Sequence, residues 1–181
     1  VDTEIQVTDA ELATMDIDKG MMTLVDLARQ RDILTTLSDH LIRANHASGG
    51  SAGNSMIATA LMGAPTYMSC KVAQDADGDI YLTDLEQSGV AHGLTERSTD
   101  GVTGKCIVLI TPDAERSLNT HLGISETLST DEVDEVAIRD SEWVYLEGYL
   151  VTSPTGHAAA LKTKALAEAH GVKTAVSFSD P

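Results

Sequence analysis

Short apolar runs of strand length alternate along the chain with segments whose apolar residues recur at helical spacing. The first run, residues 1–7, alternates apolar and polar side chains, which is typical of a half-buried strand. Alternating strands and helices are the pattern of α/β domains, in which helices cover a mostly parallel sheet. The chain is therefore predicted to be an α/β protein, with further strands at 21–25, 67–72, 105–111, 117–122, 143–150 and 172–178.

Helices are predicted between most of these strands. Asp26 is placed to cap a helix whose inner face carries Leu27, Leu34, Leu37 and Leu41. The last strand is rich in β-branched residues and is predicted to be buried. Because no helix follows it and the first strand starts at residue 1, we expect an incomplete α/β domain. The other predicted helices are 57–61 before Gly63, 79–88 before Gly89, a segment near 131, and a segment after Pro154 that turns Ala158, Leu161, Ala165 and Ala169 inward and ends at Gly171.

The middle of the chain departs from this alternation. Two strand-like runs, 105–111 and 117–122, are joined by a connection that begins with Pro112 and Asp113. Pro and Asp at these places favour a tight turn. The two runs are therefore predicted to form a β-hairpin, which would be a small antiparallel appendage on a larger parallel sheet.

The charge of the chain limits its partners. Its 181 residues contain 12 Lys and Arg against 28 Asp and Glu, which gives a formal net charge of −16. Such a field repels phosphate-rich surfaces, so nucleic acid and anionic membranes are not expected as partners. No apolar run reaches the ~18 residues of a membrane span. The two cysteines are too few for a disulfide framework, and a cytoplasmic location is expected.

A small-residue loop, 49–54, is the segment that points most directly to a ligand. Gly49 and Gly50 allow the backbone to approach a ligand closely, and the helix that follows presents unpaired N–H groups. Asn54 adds amide donors and an acceptor suited to sugar hydroxyls. An ordinary strand–helix turn with Asn as a cap explains the same residues, and both readings stay open. No Gly-Lys-Ser/Thr follows, so the loop is not a phosphate-binding P-loop.

Metal binding is not predicted for this chain. Asp75, Asp77, Asp79 and Glu86 have the spacing of calcium ligands, but Ile80 stands where such a loop needs Gly. Acidic residues at a helix N-terminus are favoured by the helix dipole without any metal. The six histidines lack ligand spacing, and no catalytic nucleophile is visible.

Taken together, these residues resemble the ribokinase-like carbohydrate kinases of the PfkB family, and within it the adenosine-kinase-like branch. The resemblance runs through essentially all 181 residues in the family's order. The segments that carry it are Val1-Asp2, 49–55, 103–117, and 145–150 together with 179–181.

The resemblance implies a three-layer α/β/α fold with a small β-sheet lid. Residues 1–181 would be the N-terminal part of the kinase domain, with lid strands from parts of 1–25 and 95–125, and the C-terminal half would be absent. In the family, the matching positions hold sugar hydroxyls, which carries that role to Asp2, Gly49, Gly50, Ser51 and Asn54. For Arg116, at the lid hairpin, contact with substrate or phosphates and a plain solvated cation are both open.

The resemblance also implies an ATP-dependent kinase that acts, with magnesium, on a sugar or nucleoside. The family's Asn-x-x-Glu and Gly-Ala-Gly-Asp motifs, the second of which supplies the catalytic base, do not occur in these 181 residues. We therefore expect the chain to bind substrate, to hold neither ATP nor magnesium fully, and to be inactive alone. A non-catalytic sugar-binding or assembly module is the alternative. A homodimer through the lid strands or an exposed sheet edge is also expected.

Overall fold

The computed structural model describes residues 1–41 and 44–178, and of Asn45 only the backbone. Segment 179–181, which the family resemblance included, lies outside the described residues. The helices are α1 (Asp9–Thr14), α2 (Leu27–Thr36), α3 (Ser51–Leu61), α4 (Ala76–Gln87), α5 (Glu135–Arg139) and α6 (Pro154–His170). The strands are β1 (Asp2–Gln6), β2 (Met22–Leu24), β3 (Asn45–Ala47), β4 (Thr66–Met68), β5 (Val90–His92), β6 (Lys105–Ile110), β7 (Arg116–His121), β8 (Trp143–Glu147) and β9 (Lys173–Ser177).

The strands form one five-stranded sheet, in the order β2-β7-β6-β1-β3, and two parallel pairs, β4–β5 and β8–β9. Of the strand pairings within the described residues, four are parallel and two antiparallel, which confirms the mostly parallel α/β prediction. The predicted hairpin is confirmed, since β6 and β7 pair antiparallel from Lys105↔His121 to Ile110↔Arg116. It is not the predicted small appendage, because both strands lie inside the five-stranded sheet, which is the largest of the described sheets. Strands from 1–25 and 95–125 thus share one sheet. That this sheet acts as a lid stays a prediction.

Buried side chains alternate with more exposed ones along β1, and among the buried ones Ile5 enters the largest core cluster. Ile5, Ile107 and Leu109 are almost fully buried on one face of the sheet, where α1 and α2 cover them with Leu12 and Ile33. The opposite face of β1 carries Asp2 and Glu4, because successive side chains of a strand point to opposite sides. A second cluster lies under α3 and α4. The two-residue period of the strand therefore places a polar site on the face of the sheet that carries Asp2 and Glu4.

Three of the described helices begin at aspartate caps, α2 at Asp26, α4 at Asp75 and α5 at Asp134. The Asp26 carboxylate accepts a hydrogen bond from Arg29 N at 2.7 Å, which confirms the predicted cap of α2. Helix α4 begins at Ala76, three residues before the predicted start, because Asp75 is its cap and accepts from Gly78 N at 2.8 Å.

No helix within the described ranges is long and apolar enough to cross a membrane.

Two predictions about the end of the chain are wrong. Leu161, which was expected to face inward on α6 with Ala158, Ala165 and Ala169, is 56% exposed, and Ala159 and Ala167 are the buried residues. Alanines occupy almost every face of this helix, so their spacing does not identify the buried one. The strand predicted at 172–178 is not buried either: in β9, Val176 is 48% exposed, because β9 pairs only with β8 among the described strands.

Candidate functional site

The structure brings the Asp2 carboxylate directly against the glycine loop. β1 pairs antiparallel with β3, with Asp2 opposite Ala47, so the loop that leaves β3 passes over the Asp2 side chain. A Cβ on Gly49 would lie only 2.0 Å from Asp2 Oδ1. No other residue type fits at position 49 while the carboxylate stays in place. The sequence's first strand and its glycine pair therefore meet in one site.

Gly50 turns the chain from this loop into α3. Its φ is +83°, a conformation that favours glycine, and it occupies the cap position of the helix. Among the described residues, no side chain caps the first-turn amides of α3. Asn54 lies in that first turn, exposed, with its backbone N bonded to Gly50 O at 3.0 Å. Gly49 lies against Asp2, and Gly50, Ser51 and Asn54 follow it at the start of α3; the binding role of these residues stays a prediction.

Glu147 is a site residue that the sequence interpretation missed. It ends β8, and its Oε2 accepts hydrogen bonds from Ser51 Oγ at 2.7 Å and from Tyr145 OH at 3.0 Å. This places a second carboxylate at the start of α3. The segment 145–150 carried part of the family resemblance, and an acidic residue at the carboxyl end of a parallel strand is where α/β proteins place ligand-binding groups. The position of Glu147 in this segment was the sequence signal that could have identified it.

Arg116 does not reach the glycine loop. It starts β7, its side chain is 63% exposed, and its Nη2 lies 3.5 Å from Glu4 Oε1. Glu4 is two residues from Asp2 on the same face of β1, so Arg116 faces the site from further along the sheet. Its positive charge still acts on Asp2, as one of the influences that lower the pKa of that carboxyl.

Burial dominates the electrostatics of Asp2. Desolvation raises the pKa of its carboxyl, and the negative charge of Glu4 adds to this, while the Val1 amino group and Arg116 act in the opposite direction. The carboxylate accepts no hydrogen bond from the described residues. A half-buried carboxylate in this state is suited to accept hydrogen bonds from hydroxyl groups that a ligand brings.

The calcium-like acids have structural partners. Asp75 caps α4, Asp77 Oδ2 lies 2.7 Å from Lys105 Nζ, and Asp79 Oδ1 lies 2.7 Å from Arg97 Nη2. In the part of the chain that the structure describes, no group of three or more His, Cys, Asp or Glu could hold a metal ion. The acidic spacing is therefore explained by helix capping and ion pairs.

A separate cleft of about 520 Å³ opens beside the ends of β4 and β5. None of the predicted site residues lines it. Two of its four acidic residues are engaged within the protein, since Asp134 Oδ2 accepts from Tyr67 OH at 3.0 Å and Glu132 pairs with Lys71 at 3.0 Å. Asp2 and the glycine loop are the better candidate, because the Asp2 carboxylate accepts no hydrogen bond from the described residues and the first turn of α3 beside the loop has no side-chain cap.

Comparison with known proteins places this geometry in a family. The family model described as pfkB family carbohydrate kinase matches residues 17–181. The ribokinase of Mus musculus is 26% identical over 126 residues, which are 70% of this chain and 38% of the mouse protein. The chain thus spans well under half of that relative.

Solved structures show the same fold. A probable sugar kinase from Rhizobium etli CFN 42 matches with a TM-score of 0.88 and 32% identity, over 99% of this chain and 53% of that one. The adenosine kinase from Sinorhizobium meliloti matches with a TM-score of 0.88 and 33% identity, over 99% of this chain and 54% of that one. The predicted ribokinase-like fold and the likeness to adenosine kinases are confirmed, and the chain spans about half the length of these relatives. The protein belongs to the pfkB family of carbohydrate kinases.

Proposed function

We propose that this chain is the substrate-binding part of an ATP-dependent kinase that phosphorylates a primary hydroxyl of a sugar or nucleoside. The observation that carries the proposal is the Asp2 carboxylate, which is half-buried, accepts no hydrogen bond from the described residues and lies against Gly49. Hydroxyls of a ligand would supply the missing donors. Such contacts fix the orientation of a polyol, which is the positioning that phosphoryl transfer needs.

The loop residues have complementary roles in this proposal. Gly49 leaves room for the Asp2 carboxylate to lie against the loop, and Gly50 would turn the uncapped amides of α3 toward the substrate's hydroxyls. Ser51 and Asn54 offer side-chain hydroxyl and amide groups in the same turn. Arg116 would approach a bound substrate from the sheet, beyond Glu4.

The phosphoryl donor would be held elsewhere in a complete enzyme. No Gly-Lys-Ser/Thr loop occurs in the sequence, and the described residues offer no set of ligands for magnesium. The residues present thus do not fit ATP or magnesium, and we assign no step through either. The chain alone would bind substrate without transferring phosphate, and a cytoplasmic location would be consistent with the small-molecule substrate.

Self-association is proposed as well. β2 is an edge strand of the five-stranded sheet, and Met22 and Leu24 on it are 41% and 60% exposed. An apolar, unpaired edge is a template for pairing with a second copy. A homodimer through this edge would cover both side chains.

Titration calorimetry of the chain with adenosine, ribose and fructose tests substrate binding. We expect saturable binding of at least one of them, and loss of about tenfold or more in affinity on Asp2→Asn or Asn54→Ala, because each removes a hydrogen-bonding group. The matched control is Asp18→Asn, which makes the same change at an exposed position and should bind like the parent. Absence of binding to all three ligands, or unchanged affinity in both site variants, would contradict the proposal.

A further inference from the structure

Helix α4 lies behind the glycine loop and touches it on both sides of Gly49–Gly50. On one side, Asp84 Oδ2 accepts a hydrogen bond from Ser48 N at 2.6 Å. On the other side, a Cβ on Gly53 would lie 2.9 Å from the Tyr81 hydroxyl. Positions 81 and 84 are three residues apart and therefore share one face of the helix. That single face supports the loop before and after its turn.

The same helix is tied to the strands that carry Asp2. Asp77, in the first turn of α4, pairs with Lys105 at 2.7 Å. Lys105 begins β6, and its neighbour Cys106 is the residue opposite Asp2 in the sheet. Helix α4 therefore links the two halves of the candidate site, the glycine loop and the strand that carries the carboxylate.

Asp84 makes the most direct of these contacts with the loop. It is a half-buried carboxylate whose acceptor oxygen is bonded to the backbone of the residue just before Gly49. Charge-assisted hydrogen bonds of this kind are short and strong. By fixing the Ser48 amide, Asp84 determines where the Gly49 peptide lies against Asp2. A displacement of about 1 Å at such a point is enough to weaken binding strongly.

We propose that Asp84 is a positioning residue for substrate binding. It does not touch the substrate, but it holds the loop so that Gly49 stays against Asp2 and the uncapped turn of α3 faces the same space. This inference rests on the proposed function, because the site it positions is the proposed hydroxyl-binding site.

Asp84→Ala, Asp84→Asn and the control Asp32→Ala test the role, with calorimetry against adenosine, ribose and fructose. Asp84→Ala should weaken binding about tenfold or more, since the Ser48 amide loses its partner. Asp84→Asn should stay within about threefold of the parent, because its amide oxygen still accepts from Ser48 N. Asp32 is an exposed aspartate on α2, and its loss should change nothing.

Amide hydrogen exchange at Ser48, followed by NMR, separates this inference from the proposed function. Exchange should be about tenfold faster or more in Asp84→Ala than in the parent, and near the parental rate in Asp84→Asn. If the parent binds none of the three probes, the proposed function fails, while Ser48 exchange still decides the role of Asp84. Parental affinity or parental Ser48 exchange in Asp84→Ala would overturn the inference, as would an Asp84→Asn variant as impaired as Asp84→Ala. Should Asp84→Ala not fold, Asp84→Leu, which also removes the acceptor for Ser48 N but fills the space, is measured in its place with the same expected losses.

Discussion

At the scale of single residues, the site combines groups that the sequence reveals with one that it does not. Asp2 and Gly49 could be named as candidates because each stands in a short segment that resembles the kinase family, and their role in binding stays a prediction. Their contact, with Asp2 Oδ1 2.0 Å from where a Cβ would be, is a tertiary feature that no local pattern encodes. Glu147 was missed because a carboxylate at the end of β8 becomes a site residue only when the fold brings Ser51 beside it.

At neutral pH, the half-buried Asp2 carboxylate should lower the stability of the folded protein. Burial raises the pKa of its carboxyl above the ordinary value of 3.8, so the folded state binds this proton more tightly than the unfolded state does. The protonated Asp2 carboxyl therefore gives the folded state its full stability at acid pH. This stability is lost as the pH rises through the folded pKa, because the buried carboxyl must then ionise. Asp2→Asn should melt about 1–3 °C higher than the parent at neutral pH. Circular dichroism melts from about pH 3 to about pH 7 should show this difference growing with pH, whereas a lower melting temperature for Asp2→Asn at neutral pH would contradict it.

At the scale of elements, the cap of α2 and the alternation of side chains along the strands could be predicted from the sequence, whereas the buried face of α6 could not. The Asp26 cap and the β6–β7 hairpin follow from local chemistry, which the sequence states directly. The buried face of α6 could not be read, because its many alanines give a weak periodicity and packing alone selects Ala159 and Ala167. The earlier start of α4 has a similar origin. Asp75 caps it through a local bond from Gly78 N, and its contacts with Thr103, which is distant in sequence, hold the same carboxylate in place.

Two aspartate caps of the same type allow the tertiary part of capping to be measured. Among the described residues, the Asp26 side chain bonds only to Arg29 N of its own helix, whereas Asp75 also accepts from Thr103 N at 2.8 Å and from Thr103 Oγ1 at 2.6 Å. Asp26→Ala should cost about 1 kcal/mol of unfolding free energy, the usual value of an N-cap. Asp75→Ala should cost about 2–3 kcal/mol, since it also leaves the buried Thr103 without its acceptor. Urea denaturation measures both, and equal losses would show that the Thr103 contacts add nothing.

The pH dependence of the Asp75 effect has a defined sign. Partial burial opposes ionisation of its carboxyl, but the hydrogen bonds from Thr103 and Gly78 outweigh it and lower the pKa. A carboxyl whose folded pKa is depressed stabilises the protein above its unfolded pKa and loses this effect as pH falls through the folded value. The destabilisation caused by Asp75→Ala should therefore shrink in acid, as should the stabilisation caused by Asp2→Asn, so the two differences have opposite signs at neutral pH and both fade as pH falls.

At the scale of the whole molecule, charge and exposed apolar surface act against each other. The formal net charge of −16 keeps like molecules apart in solution. Apolar side chains are nevertheless exposed at several places, among them the edge strand β2, the end of α3 at Leu61 and Met62, and the surface of α6 and β9. The sequence could predict that some edge is uncovered, but not which one, because that depends on how the sheets are ordered. The β2 edge and the surface of α6 and β9 are both exposed in the structure, so each is a candidate interface.

Leu24 and Leu161 distinguish these two surfaces, because they are the same residue type with nearly equal exposure, 60% and 56%. If the proposed dimer forms through β2, Leu24→Lys places a charge on the pairing edge, which is the means by which natural sheets prevent edge association. We expect sedimentation velocity to show a dimer for the parent and for Leu161→Lys, and a monomer for Leu24→Lys. Raising the salt concentration should strengthen the parental dimer, because it screens the repulsion between two strongly negative chains. A parent that stays monomeric at every concentration, or a dimer abolished by Leu161→Lys alone, would rule out β2 as the interface.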